Sequence, residues 1–287
     1  MTHLKPKEIL NGTINSAAEK AQGSFRKLLI LSILAGAFIA LAGAGANMAG
    51  FYFLAEPETT GIGKMISGLI FPAGLMMVVL AGAELFTGNN LMITAVFAKR
   101  IRVRDMLRNW VIVYLGNLIG SLFIAYLVAK SGLLFSGDGL LGQVTLDIAA
   151  SKVSLTFEQA FIRGILCNFL VCIAVWMASG ASSTGGKAVS LYFPIWLFVA
   201  AGFEHSIANM FFIPVGIFSE GASQTLNWGG FIGNLLPVTL GNMVGGCLLA
   251  GGAYSLVFLE KEKKASDKTK AKKQVPLRLS PKLYEEI

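Results

Sequence analysis

Two stretches of this chain share the pattern GxExxxxN: Gly82 to Asn89 reads GAELFTGN and Gly202 to Asn209 reads GFEHSIAN. Each places a carboxylate and an amide inside an apolar run long enough to cross a membrane. Ionisable groups are costly in hydrocarbon, and where they occur they mark polar paths or binding sites. The second copy adds His205, the side chain whose charge switches nearest neutral pH. The other histidine, His3, lies in the polar N-terminal stretch. The available chemistry is hydrogen bonding and proton exchange at mid-membrane depth, with Glu84, Asn89, Glu204, His205 and Asn209 as candidate groups.

The elements that position these groups are membrane spans. Of 287 residues, 54% are hydrophobic and 14% charged, and the mean hydropathy is +0.66, outside the range of a soluble globular domain. Six runs are long and apolar enough to span, at about 28–55, 65–98, 109–130, 157–180, 189–218 and 231–259. Lys and Arg mark the cytoplasmic side. They gather before the first run, between the second and third (Lys99, Arg100, Arg102, Arg104, Arg108), at Lys187, and after the sixth. Both termini are therefore expected in the cytoplasm. The net charge of +8 follows from this topology, not from nucleic-acid binding. Residues 1–27 lack the short apolar core of a secretory leader and predict an amphipathic cytoplasmic segment over Pro6 to Lys27. Residues 260–287 read as a solvated basic tail. Cys167, Cys172 and Cys247 lie within spans and read as small buried hydrophobes, not metal ligands or disulfides.

The repeat extends past the motif. NWVIVYLGNLIGS from Asn109 aligns without gaps on NLLPVTLGNMVGG from Asn234, pairing Asn117 with Asn242. Both copies carry GxxxG, at Gly116/Gly120 and Gly241/Gly245, which lets helix backbones approach closely in lipid. The first and fourth spans match loosely, around Gly36 and Gly164. Span two thus answers to span five and span three to span six. Three spans is an odd number, so the halves, 28–130 and 157–259, enter from opposite faces around a two-fold axis in the membrane plane.

Both motif copies interrupt an apolar run, and their Gly and Asn residues tolerate the torsions of a broken helix. Such backbone survives in a membrane only where it is buried or lines a cavity. Amide groups at half-helix starts favour an anion, so the centre is expected to be an anion site. A buried carboxylate would repel that anion, so Glu84 and Glu204 are read as scaffold, with Glu204 also tuning His205. Lys152 stands in the external segment IAASKVSLTFEQAF, expected to be a loop, where one ammonium would concentrate anions at a pore mouth.

At GAELFTGN, the SKV segment, LCNFLVCIAVWMASG and AGFEHSIANMFFIPVGI, the chain resembles the formate/nitrite transporter family of prokaryotic anion channels, over about Leu28 to Phe258. The resemblance implies an all-α, aquaporin-like protomer of six transmembrane helices in a three-plus-three inverted repeat, with helices two and five broken and five copies assembled as a homopentamer in the cell's inner or plasma membrane. It implies Thr87 facing the pore, His205 presented by the second break, and Asn168 and Asn209 near a central chamber. It also implies a constriction of Phe71 with Leu75 on the cytoplasmic side, another of Leu85 with Phe198 outside, and Lys152 in the vestibule. The implied substrate is a small monovalent weak-acid anion carried with a proton: formate first, nitrite or hydrosulfide as alternatives, with acetate and lactate in the same class. A water- or glycerol-type channel would carry Asn-Pro-Ala at both breaks, and none of the eight prolines follows an Asn. An enzyme would need a nucleophile with its base, or a metal cluster, and the sequence offers neither, nor any cofactor motif.

Overall fold

A computed structural model describes residues 3–222, 224 and 226–259, and the basic tail expected at 260–287 lies outside them. The regular elements among the described residues are all helical: α1 (Pro6–Ala21), α2 (Phe25–Leu54), α3 (Thr60–Ile70), α4 (Pro72–Ala81), α5 (Phe86–Asn89), α6 (Ile93–Phe97), α7 (Val103–Lys130), α8 (Leu140–Val153), α9 (Phe157–Gly180), α10 (Thr184–Ala200), α11 (Ser206–Phe218) and α12 (Trp228–Val244), with short 3₁₀ turns between them. Beyond α12 the helix continues as a π-helical stretch, Gly245–Gly252. Five stretches are long and apolar enough to cross a membrane: Phe25–Leu54, Pro57–Ala81, Val103–Lys130, Phe157–Gly180 and Trp228–Leu259; Ser206–Phe218 is a shorter apolar helix. Their outer faces are apolar. On α7, Val111, Leu115, Ile119 and Phe123 project outward at steps of four, each at least half exposed, as a helix facing lipid or a neighbouring subunit requires.

Buried polar side chains collect inside instead. Ser32, Asn89, Asn90, Asn109, Asn117, Asn168, Asn209 and Asn242 are all at most 2% exposed. The GxxxG glycines make the close approaches their spacing suggests. A side chain on Gly120 would collide with the Ile33 carbonyl of α2, and one on Gly245 with the Ile165 carbonyl of α9.

Those contacts also correct a register. Glu84 N–H donates to Leu31 O, and Glu204 N–H to Arg163 O. Asn117 donates to Ser32 O, and Asn242 to Gly164 O. Gly120 and Gly245 meet Ile33 and Ile165. Every one of these partner pairs is separated by the same 132 residues. Gly164 is therefore equivalent to Ser32, one helical turn from the Gly36 that sequence matching suggested, and Gly36 is equivalent to Asn168. The same offset superposes α1 on α8. The segment IAASKVSLTFEQAF, expected to be a loop, is mostly helical, because α8 is the counterpart of the amphipathic α1. Tyr114 and Thr239, themselves a matched pair, join side chain to side chain at 2.8 Å.

Candidate functional site

The two breaks are built alike. Helix α4 stops at Ala81 because Gly82 turns left-handed (φ 83°), and the Ala83 N–H closes back on Val78 O at 2.8 Å. Helix α10 stops at Ala200; Gly202 turns left-handed (φ 71°), and the Phe203 N–H closes on Phe198 O at 3.1 Å. A glycine at this position is the usual helix-ending device, since a Cβ would clash in that conformation. The chain then runs extended through Leu85 (φ −112°, ψ 125°) and His205 (φ −112°, ψ 117°) before the next helix begins.

Three of the amides near those helix starts are already occupied. Phe86 N–H donates to Asn117 Oδ1, Ser206 N–H to Asn242 Oδ1, and Ala208 N–H to Nδ1 of His205. Leu85 has no side-chain acceptor to offer, and that difference between the halves frees one and fixes the other. His205, held through Nδ1, presents Nε2 to Thr87 Oγ1 of the opposite break at 2.9 Å. An Nδ1 that accepts from an amide carries no proton, so the neutral ring carries its hydrogen on Nε2 and donates it to Thr87. The Thr87 hydroxyl hydrogen is then not needed by the ring.

Beside this bridge is a small chamber of about 10 Å³, lined by Ile39, Phe71, Leu75, Leu85, Val171, Ile195, Phe198 and His205. That is room for about one water. The four side chains that the resemblance implied as constrictions, Phe71, Leu75, Leu85 and Phe198, all line it. Phe71 meets Phe198 edge-to-face at 5.8 Å and stacks on Phe212, whose ring lies 5.5 Å below Lys152. Leu75 and Leu85 instead line the wide cavity of about 520 Å³ beside α1, together with Lys20, Gly82, Glu84 and Asn89. Phe71 and Phe198 thus lie toward α8, and Leu75 and Leu85 toward α1.

Both carboxylates are held in polar networks. Glu204 takes both oxygens to Lys152 (2.9 and 3.1 Å) and accepts from Asn209 at 2.6 Å, and Asn209 donates on to Asn234, which donates to Lys152 O. Lys152 is thus a paired group, its side chain 14% exposed, not the bare cation expected at the mouth. The Glu204 carboxylate is thus bonded to Lys152 and Asn209, not to His205. Sequence reading missed the matching lysine: Lys20 of α1 donates to Glu84 (3.0 Å) and Asn89 (2.7 Å), and Asn89 donates to Glu84 and Asn109. The signal was present, since Ala17-Ala18-Glu19-Lys20 and Ala149-Ala150-Ser151-Lys152 share AAxK at the common offset.

Asn168, expected beside the chamber, donates to Thr87 O, Asn90 Oδ1 and Asn242 O. Cys172 and Cys247 add thiol contacts to Thr87 O and Asn90 O. These groups fix the backbone on which Thr87 is carried, and the π-helical Gly246 lets the last helix pack against them. No grouping of three or more potential metal ligands occurs among the described residues.

The chain matches the model of the family described as "Formate/nitrite transporter" over residues 7–256. It belongs to the formate/nitrite transporter family. A "Probable formate transporter" of Methanothermobacter thermautotrophicus is 42% identical over 84% of this chain and 92% of its own length. The "Formate channel FocA" of Haemophilus influenzae is 39% identical over 86% of this chain and 92% of its own. Among solved structures, a "Pentameric formate channel with formate bound" superposes with a TM-score of 0.72 at 35% identity, covering 82% of this chain and 98% of that one. Family membership makes this chain a membrane channel or transporter.

Proposed function

We propose that this protein carries formate across the cell membrane, each protomer of a homopentamer holding its own path between the two seals. The observation that carries this reading is the Thr87 to His205 contact at 2.9 Å, which joins the two breaks beside a chamber lined by apolar side chains. Six spans follow if α3 to α6 and α10 with α11 each count as one interrupted span. The clustered basic residues put α1 and both termini in the cytoplasm and α8 outside.

An anion crossing either apolar seal as a bare ion loses hydration that the ring faces cannot replace. Inside, the Thr87 hydroxyl can donate to a carboxylate while its oxygen accepts from Nε2 of His205. In this state the ring is a neutral donor. To protonate the substrate, it must first gain a proton at Nδ1, which requires release of the Ala208 N–H and a turn of the ring. Nε2 then passes its proton to Thr87 Oγ1 as the threonine hydroxyl proton moves to the carboxylate oxygen. Neutral formic acid leaves, and the ring, now protonated at Nδ1, returns to the Nε2–H form by exchange with water, which takes the Nδ1 proton as another is delivered to Nε2, so that Nδ1 again accepts from Ala208. Proton transfer and ring rotation are coupled in this scheme, and a chamber with room for one water has to widen for substrate to enter. Helix α1, whose Ile9, Leu10, Ile14 and Ala17 are buried and whose Lys20 reaches Glu84, covers the cytoplasmic mouth and acts there as a gate.

The test is uptake of formate, nitrite and hydrosulfide into liposomes holding the purified protein, over a pH series. Formate flux that rises as pH falls supports the reading; preferential nitrite or hydrosulfide flux reassigns the substrate, and no anion flux removes it.

A further inference from the structure

A cleft of about 980 Å³ lies on the other face of α1 from the cavity beside Glu84, and the two share no lining residue. Its walls are α1, the end of α6 and the last helix beyond the π-helical stretch, and Lys99, Arg100 and Ser255 line it together with Phe97, Leu248 and Leu256. That volume is at the upper end of the roughly 300–1,000 Å³ that ligand sites occupy.

The repeat builds this cleft twice. Asn11 and Ile14 of α1 correspond to Gln143 and Leu146 of α8, and Ala98, Lys99 and Arg100 to Phe218, Ser219 and Glu220. The second set lines a smaller cleft of about 400 Å³ on the α8 side. Pseudo-symmetry therefore accounts for the hollow but not for its charge. One copy carries an ammonium and a guanidinium where the other carries a hydroxyl and a carboxylate.

Lys99 and Arg100 are exposed, and neither pairs with a carboxylate among the described residues. Lys99 also takes the left-handed turn that ends α6 (φ 57°), while Arg100 N–H closes back on Ala95 O at 2.8 Å. Glycine is the usual residue at such a turn, so a lysine there keeps an ammonium at the cleft at a backbone cost. Ser255 is 3% exposed, and its hydroxyl has no hydrogen-bond partner among the described residues. A buried polar group is ordinarily satisfied; this one leaves a donor for a ligand. Phe97, Leu248 and Leu256 are exposed and form an apolar wall of the same cleft. Cations beside an exposed apolar wall suit an amphiphile with an anionic head. The chain's own segment 260–287 suits them less, since it holds nine Lys and Arg against five Asp and Glu.

We propose that this cleft binds one anionic phospholipid of the cytoplasmic leaflet. Its phosphate sits between Lys99 and Arg100, Ser255 donates to a phosphate or ester oxygen, and an acyl chain lies along Phe97, Leu248 and Leu256. Basic pockets between spans on the cytoplasmic side suit such headgroups. The choice of leaflet rests on the orientation proposed above; the binding does not depend on formate.

The experiment titrates detergent-solubilised, delipidated protein with phosphatidylglycerol and phosphatidylcholine of the same acyl chains, reading bound lipid by native mass spectrometry. Wild type should prefer phosphatidylglycerol about ten- to thirty-fold, from about a factor of five for each cation near the surface. Lys99→Gln with Arg100→Gln should erase that preference, and Lys99→Arg with Arg100→Lys should keep it. Arg104→Gln with Arg108→Gln, which removes the same charge outside the cleft, should leave it standing; an equal loss there makes the attraction diffuse and overturns the proposal. Glycerol phosphate competing at the lipid's own concentration also overturns it, because the site would then be one for free phosphate. So does a Lys99→Gln, Arg100→Gln protein that loses its oligomeric state while keeping the lipid preference, since the cleft would then be a contact between copies. Labelling of Lys99→Cys by an impermeant thiol reagent in intact cells would overturn the choice of leaflet. Protein that binds phosphatidylglycerol but carries no formate refutes the transport reading alone.

Discussion

Lys20 and Lys152 occupy the same place in the two halves of the molecule. Each sends Nζ to the glutamate of a break, Glu84 or Glu204, and each offers its carbonyl to an asparagine of a following long helix, Asn109 or Asn234. They differ in burial. The side chains of Lys20 and Glu84 are 30% and 11% exposed, and those of Lys152 and Glu204 are 14% and 5%.

Burial sets the cost of breaking each pair. With Lys152→Met, Glu204 remains as an unpaired charge almost without water, and a loss of about 3–5 kcal/mol in stability is expected, the usual size for removing one member of a buried pair. Lys20→Met should cost clearly less, because water can reach Glu84 through the wide cavity. Lys152→Met combined with Glu204→Gln should recover much of the loss. Thermal unfolding of the four proteins in detergent checks the order, and equal losses for Lys152→Met and Lys20→Met would contradict it.

Thr87→Val keeps the shape of the side chain and deletes the hydroxyl. The Nε2 hydrogen of His205 then loses its acceptor inside an apolar chamber, a penalty of about 1–3 kcal/mol. The same change removes the donor proposed for the carboxylate. Formate flux should fall roughly ten- to a hundred-fold, since about 1.4 kcal/mol of barrier is a factor of ten. Liposome uptake measures this, and an unaltered rate would leave Thr87 a packing residue.

His205→Phe preserves ring volume but removes both nitrogens. Ala208 N–H loses its cap, so some loss of stability is expected, near 1 kcal/mol for an N-cap. The informative readout is the pH dependence of flux. If His205 relays the proton, acceleration at acidic pH disappears in the variant, whatever its absolute rate; a wild-type pH profile would exclude the relay.

The two breaks, the paired asparagines and the repeat order were legible in the sequence because each rests on local chemistry. Glycine, a carboxylate and an amide at fixed spacing are visible without coordinates. The pairing of the seals was not legible. Phe71, Leu75, Leu85 and Phe198 were all identifiable as constriction residues, but which meets which depends on how α4 and α10 cross. Lys152 was misread for a related reason: its partner Glu204 is 52 residues away, and only the fold brings a loop-like lysine to a buried carboxylate. Lys20 was legible through AAxK and was overlooked because the repeat was assumed to start at the first span. Its counterpart α8 is only 14 residues long, too short to read as a span, so hydropathy alone hid both ends of the unit.

The close helix pairs offer a test that is independent of transport. On Gly245 a methyl group would meet the Ile165 carbonyl, and on Gly120 the Ile33 carbonyl, and neither backbone can yield without separating two helices. Gly245→Ala and Gly120→Ala should each lower stability by at least about 1–3 kcal/mol, the range for overpacked interiors. Gly233, on the same helix as Gly241, has open space around a built Cβ. There the substitution relieves only backbone entropy, and Gly233→Ala should be neutral or stabilising by about 0.5–1 kcal/mol. Melting curves in detergent would distinguish the sites: a Gly245→Ala protein as stable as Gly233→Ala would mean that α9 and α12 do not approach through their backbones.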